Sequence, residues 1–358
     1  MRLYKMELYK VFQNKMFLGS WLIAVGIVFL FFWYEEIGTQ HSAMNGHRLR
    51  GYQAVQQDRE IIEEFEGVLT DKKVEKIIEK YGFPNVVKEG YPGFYDENFL
   101  TAFVTRYASD GYIYDWDNYK IPTRIVPLAQ SELIKDRKEV MLYYTRGWEV
   151  LLEMMQLGMI LGNIVIIIGA SRILAEESQL RMIPLLFTTE KGKKEDIIAK
   201  VLAILTMTIA VYIMTCVLSI VLTNMVFGLD GADCLYWSVM GTHSWITITV
   251  KEAVVMLLGM NFLGALFICS ISFCVSAYFQ SAFYAVTVTA IIWGLPVLVR
   301  ILFGNLCYLF ICSSPIFLSM YECVMDVWNV RIVPISIAVI GLFFCMIQGC
   351  LVYSKKRM

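Results

Sequence analysis

IIAKVLAILTMTIAVYIMTCVLSIVLTNMVF, residues 197–227, decides the fold. The run carries a single charge, Lys200, close to its start. A helix crossing a bilayer needs about 20 apolar residues, each rising about 1.5 Å. This run exceeds that length, so it spans and its charged end reaches the interface. Working outward, five further apolar runs have spanning length: 16–34, 150–170, 253–279, 282–303 and 332–353. With 57% hydrophobic and 18% charged residues, the chain has enough apolar sequence for all six. Lipid offers the backbone no hydrogen bonds, so uninterrupted runs of this kind are helices. The predicted fold class is an all-α polytopic membrane protein with six transmembrane helices. Lipid is the partner these runs demand, and a formal net charge of −1 gives no reason to expect nucleic acid.

Cations in the short loops set the orientation. Arg2, Lys5, Lys10 and Lys15 precede the first span, and Lys355, Lys356 and Arg357 follow the last. The loop 171–196 adds Arg172, Arg181, Lys191, Lys193 and Lys194. The positive-inside rule then places both termini and this loop in the cytoplasm of a cell-membrane protein. In 1–15, Tyr4, Leu8, Val11 and Phe12 share one helical face, opposite Arg2, Lys10, Gln13 and Asn14. That pattern describes an interfacial amphipathic helix, the simpler reading being a basic anchor.

Composition changes over 35–149, where apolar positions become periodic and charges frequent. We read an extracytoplasmic domain, mainly helical with α+β as the alternative. Residues 58–66 and 71–81 carry Ile61, Ile62 and Phe65, then Val74, Ile77 and Ile78, at helical spacing. Gly82-Phe83-Pro84 stops the second helix, and 131–144 reads as a helix leading into the second span. The aromatics Tyr91 to Tyr119 line an amphiphile site or, more simply, form the core. None of the nine cysteines lies in this domain. Cys307, Cys312 and Cys323 are candidates for pairing outside, against plain helix packing.

Catalytic patterns are scarce. There is no G-x-x-x-x-G-K-[ST] run to cradle nucleotide phosphates, and the three histidines form no metal-ligand spacing. Glu176-Glu177-Ser178-Gln179-Leu180-Arg181 resembles the E-E-x-x-x-R start of the CAAX-protease family. That family also needs downstream membrane histidines, and only His243 follows, so catalysis is not expected.

A basic amphipathic start, one span, a large outer domain and five more spans resemble the permease subunit of a type-two ATP-binding-cassette exporter. The stretch 176–200 carries the resemblance best, with Glu176 or Glu177, Met182, Leu185-Leu186, a polar turn and Lys200 opening the next helix. Leu180-Arg181 and Glu190 stand where many members have Gly-Thr and Pro, so the chain is similar to a divergent, Gram-positive-like branch. Residues 305–330, broken at Ser313-Ser314-Pro315, are similar to the family's outer re-entrant hairpin. Gly158 and Gly162 give the second span a small-xxx-small face for close helix packing.

The resemblance implies a transporter subunit rather than an enzyme, with no cofactor bound by this chain. ATP and Mg would sit on a partner ATPase, and a second permease chain, identical or not, would complete the unit. Glu176, Glu177, Met182, Leu185, Leu186 and Lys200 would couple to the ATPase. The competing reading is a non-transporting membrane sensor or assembly factor that uses the outer domain as receptor.

Overall fold

The computed structural model describes residues 2–44, 47–82, 98–110, 124–131, 139–180, 194–240, 248–304, 314–321 and 332–355. In chain order, α1 (Arg2–Phe12) precedes α2 (Lys15–Phe31), which widens into a π-helical turn at Phe32–Ile37. A hairpin of β1 (His41–Met44) and β2 (His47–Arg50) leads to α3 (Tyr52–Glu63). Then come β3 (Gly67–Val68), α4 (Asp71–Tyr81), α5 (Phe99–Tyr107) and β4 (Met141–Leu142). The long α6 (Arg146–Ala170) is followed by the short α7 (Ala175–Gln179). After α8 (Glu195–Val226), α9 (Tyr236–Met240), α10 (Val250–Tyr278) and α11 (Ala282–Phe303), the chain closes with α12 (Ile332–Lys355).

Among the described residues, six helices are long and apolar enough to cross a membrane, and the protein is an all-α, multi-pass membrane protein. The spanning segments are Lys15–Ile37, Arg146–Gln179, Glu195–Val226, Val250–Tyr278, Ala282–Phe303 and Val333–Lys355. They differ in how much protein covers them. The apolar window of the second is 61% buried, whereas those of the fifth and sixth are each 11% buried. Faces as open as Ile291, Leu298, Ile301 and Phe344 are tolerable in hydrocarbon and would be a liability in water. Helix α11 runs unbroken through Pro296.

The chain divides into two units. The first comprises Met1–Val28, Glu153–Ser219 and Val255–Met358. Its core packs Phe17, Met159, Ile166, Met207, Ile268, Phe273 and Tyr353. Small residues let its helices approach closely. A Cβ on Gly158 would lie 2.6 Å from Thr215 Cγ2, and one on Gly162 would lie 3.4 Å from Thr215 Oγ1. The small face of α6 is therefore filled by α8 of the same chain.

The second unit comprises Phe29–Leu152 and Ile220–Val254. The periodic residues Ile61, Ile62, Val74 and Ile77 are buried as their spacing predicts. Helix α3 begins six residues before the expected 58, at Tyr52, behind Gly51 at φ +63°. Helix α4 starts where Thr70 accepts from the Lys73 N–H and stops at Gly82, φ +80°. Around the expected helix 131–144 the outcome differs. Residues 132–138 lie outside the described set, but Met141 and Leu142 form a strand paired with Val68 and Gly67. That pairing satisfies backbone groups a helix would have taken, and the helical run begins at Arg146. Tyr107 is buried and donates to the Ser238 carbonyl at 2.5 Å. Most of the other aromatics from 91 to 119 fall outside the described residues, as do Cys307, Cys312, Cys323 and most of 305–330.

Candidate functional site

The site is built from four pieces of chain that are far apart in sequence and all belong to the first unit. Helix α1 turns Val11 inward, with Tyr4, Leu8 and Phe12 partly covered, as its apolar spacing predicts. The same face also buries a carboxylate, Glu7. Helix α7 contributes Glu177, which is buried, while its neighbour Glu176 is half-exposed and pairs with Arg172 at 3.3 Å. The first turns of α8 supply Asp196 and Lys200, one turn apart on one face. The end of α12 supplies Tyr353.

These side chains converge on Lys200, whose exposure is 0%. Its Nζ lies 2.5 Å from Asp196 Oδ1, 3.2 Å from Glu177 Oε1 and 3.8 Å from Glu7 Oε1. The contacts are ionic rather than directional, since none meets hydrogen-bond geometry at the nitrogen. A second ammonium, Lys10, sits 2.6 Å from Glu7 Oε1 and 3.4 Å from Glu177 Oε1. The Tyr353 hydroxyl donates to Glu177 Oε2 at 3.0 Å. Both ammoniums therefore bridge the same two carboxylates, one on α1 and one on α7. With three carboxylates and two ammoniums, the bracket carries a formal charge of −1.

Such a group is held by compensation. Moving an isolated ion out of water costs several kcal/mol, and mutual attraction offsets this only when every charge has its partner. Lys10 illustrates the balance from the half-exposed side. Burial alone would lower the pKa of its ammonium, but hydrogen bonding and charge from Glu7, with Glu177 behind it, outweigh burial and hold it above the usual lysine value.

Polar contacts also fasten α7 at both ends. The backbone N–H groups of Leu174 and Ala175 donate to Ser276 Oγ of α10, each at 3.0 Å. Gln179 Oε1 accepts from the Ala282 N–H at the start of α11, at 3.4 Å. Beside the bracket lies a cavity of about 310 Å³, lined by Glu7, Lys10, Asn14, Phe17, Arg172, Glu176, Glu177 and Leu180 among others. Its lining mixes charge with apolar carbon, and Arg172 reaches Asn14 Oδ1 at 3.4 Å from the α6 side.

Of the residues singled out from sequence, the structure brings together Glu177 and Lys200 and leaves Glu176 at the cavity edge. Met182, Leu185 and Leu186 lie outside the described residues. Gly158 and Gly162 pack on α8, away from the bracket. Sequence reasoning missed Glu7, Asp196 and Tyr353. Glu7 left a readable trace, a lone carboxylate on the apolar face of a cationic helix, whereas Tyr353 at the end of an apolar span left none. Among the described residues, no group of three or more His, Cys, Asp or Glu is arranged to hold a metal ion.

Fold and site together define a multi-pass helical membrane protein in which the described segments on either side of residues 181–193 meet in a buried charge cluster that α1 and the Tyr353 hydroxyl of α12 complete. No protein-family model, no curated protein and no solved structure matches the chain.

Proposed function

We propose that the chain is the membrane-spanning permease of an ATP-driven exporter, working with a separate ATPase and a second permease chain in the cell membrane. Both termini and the loop 171–196 then face the cytoplasm, in keeping with their cations. The observation that carries the reading is the bracket itself. Glu177 lies just before residues 181–193 and Asp196 and Lys200 just after them; Glu177 meets Lys10 of α1 and Tyr353 of α12, Lys200 meets Glu7 of α1, and Asp196 pairs with Lys200. A protein that grips the loop therefore pulls on four helices at once, which is what a lever needs. ATP and Mg belong to the partner in this scheme, and this chain converts the partner's movement into a shift between two helix packings.

The test uses the intact chain expressed in its native host. The expected outcome is that a P-loop ATPase co-purifies in mild detergent. Leu185→Ala with Leu186→Ala should sharply reduce its recovery at matched permease abundance, since truncating interface anchors costs about 1 to 4 kcal/mol. Lys193→Ala with Lys194→Ala should do less. Repeated purification without any P-loop protein refutes the exporter reading and favours the sensor.

A further inference from the structure

A second cavity, in the second unit, is not used by the exporter reading. It measures about 300 Å³, at the lower edge of small-molecule sites, which run from about 300 to 1,000 Å³. One wall is a single stripe of α5. Phe99, Ala102, Phe103 and Arg106 all line it, at spacings of three and four residues that place them on one helical face. The rest of the lining comes from Thr39, Gln40 and His41, from Asp58 and Asn98, and from the stretch Tyr144 to Arg146 with Glu149.

The stripe has opposite charges at its two ends and carbon between them. At the start of α5, Asp58 is only 8% exposed. Its Oδ1 accepts from Ser42 Oγ at 2.6 Å and from the Phe99 N–H at 3.3 Å. Both bonds end on the same oxygen, which leaves Oδ2 as the carboxylate atom a ligand can engage. In the last turn, Arg106 Nη1 donates to the Val239 carbonyl at 3.2 Å, which fixes the direction of a guanidinium with five N–H donors. Between these poles the floor is aromatic. Phe99 lies 5.1 Å from the Tyr144 ring and 6.1 Å from Phe103. The Arg146–Glu149 pair, 2.5 Å apart, adds a charge-balanced side to the cavity.

Seven residues of helix separate Phe99 from Arg106, about 10.5 Å at about 1.5 Å per residue. An extended peptide covers about 3.3 to 3.6 Å per residue, so three residues match that distance. We propose that this cavity binds a short apolar peptide of about three residues with both ends free, its ammonium at Asp58, its carboxylate at Arg106 and its central side chain on Phe99, Phe103 and Tyr144. An end-charged, apolar-centred molecule satisfies all three features at once. A purely anionic or purely cationic ligand would leave one pole facing a like charge or nothing. The inference is independent of the exporter reading, because it concerns a different unit and a different set of residues.

The test is calorimetric titration of the detergent-solubilised full chain with the tripeptide Ala-Phe-Ala, free-ended, N-acetylated or C-amidated. The free-ended peptide should bind, and blocking either end should weaken it by about tenfold or more. Asp58→Asn should make binding insensitive to acetylation, and Arg106→Gln should make it insensitive to amidation. Ala102→Phe, which adds bulk midway along the stripe, should abolish binding while circular dichroism and melting stay close to wild type. Two results overturn the proposal: no heat at about 1 mM free-ended peptide, or binding that neither capping nor Ala102→Phe weakens. The capped peptides act on the unaltered protein, so the test remains decisive even if a charge variant fails to fold.

Discussion

Replacing Lys200 by Met tests the bracket most directly. The side chains have similar length, and the substitution removes only the buried ammonium. Lys200 lies within ion-pair distance of three carboxylates and has no exposure. Its loss takes the bracket from a formal −1 to −2, with Lys10 as the remaining cation. Removing one member of a buried pair typically destabilises by about 3 to 5 kcal/mol, mostly through the carboxylates left behind. Lys10→Met provides the contrast. Its side chain is 53% exposed, water can replace it, and a cost of about 1 kcal/mol or less is expected. Asp196→Asn combined with Lys200→Met restores −1 and should recover part of the loss. The assay is thermal unfolding of the purified chain in one detergent, with membrane abundance measured in parallel. The reasoning fails if Lys200→Met melts with wild type, if Lys10→Met costs as much, or if the double variant is less stable than Lys200→Met alone.

Three further outcomes are expected. Gly158→Ala should destabilise by about 1 to 3 kcal/mol through overpacking, and Thr215→Ser, which deletes the obstructing Cγ2, should relieve it. Gly162→Ala, whose new methyl group has 3.4 Å of room, should be close to neutral in the same melting assay. Burial pushes the Asp58 carboxyl from 3.8 up to about 6, against the opposing bonds from Ser42 and the Phe99 N–H. Tyr144, His41, Arg106, Arg146 and Glu149 line the same cavity. Between those values the folded state holds a proton that the unfolded state has lost, so stability falls as pH rises from about 4 through about 6. The fall is worth about 3 kcal/mol at about 1.4 kcal/mol per tenfold. Asp58→Asn keeps an acceptor for both bonds and should remove that decline, as melting curves across this pH range would reveal. Finally, Lys76→Cys should react with an impermeant thiol reagent on intact cells while Lys194→Cys and Lys355→Cys do not, in a background cleared of native reactive cysteines. Labelling of Lys194→Cys from outside would invert the proposed topology.

The spans were legible because the bilayer imposes a length, and a run such as 197–227 meets it without help from the rest of the chain. Their ends were less so. Helix α6 begins at Arg146, ahead of the expected 150, since Arg146 and Glu149 satisfy one another across one turn and extend the helix into polar sequence. Residues 141–142 lacked any local sign of strand, because the pairing partner lies at 67–68 and only tertiary proximity makes the ladder. The bracket divides in the same way. Glu177 and Lys200 stood out as charges at the edges of apolar runs, and Asp196 lies one turn from Lys200 on the same helix, yet their meeting with Glu7 and Tyr353 depends on separate helices converging, which no sequence window contains.

That convergence bears on how a lever in this protein would work. A joint made of single ion pairs must break each pair before it moves, and in a buried site each break leaves an uncompensated charge. Here the contacts are shared. Lys10 is nearer Glu7 and Lys200 is nearer Glu177, but each ammonium is already within 4 Å of the other carboxylate. A small slide of α7 along α1 shifts Glu177 between Lys10 and Lys200, while the Lys10–Glu7 pair on α1 and the Asp196–Lys200 pair on α8 persist, so no charge is left without a partner. Opening α7 away from α1 and α8 would strip Glu177 of both ammoniums and leave it the Tyr353 hydroxyl alone among these partners. In the exporter reading, a joint that yields to sliding and resists opening passes force from the loop into the spans. Only a partner that contacts the two positions unequally can drive the exchange.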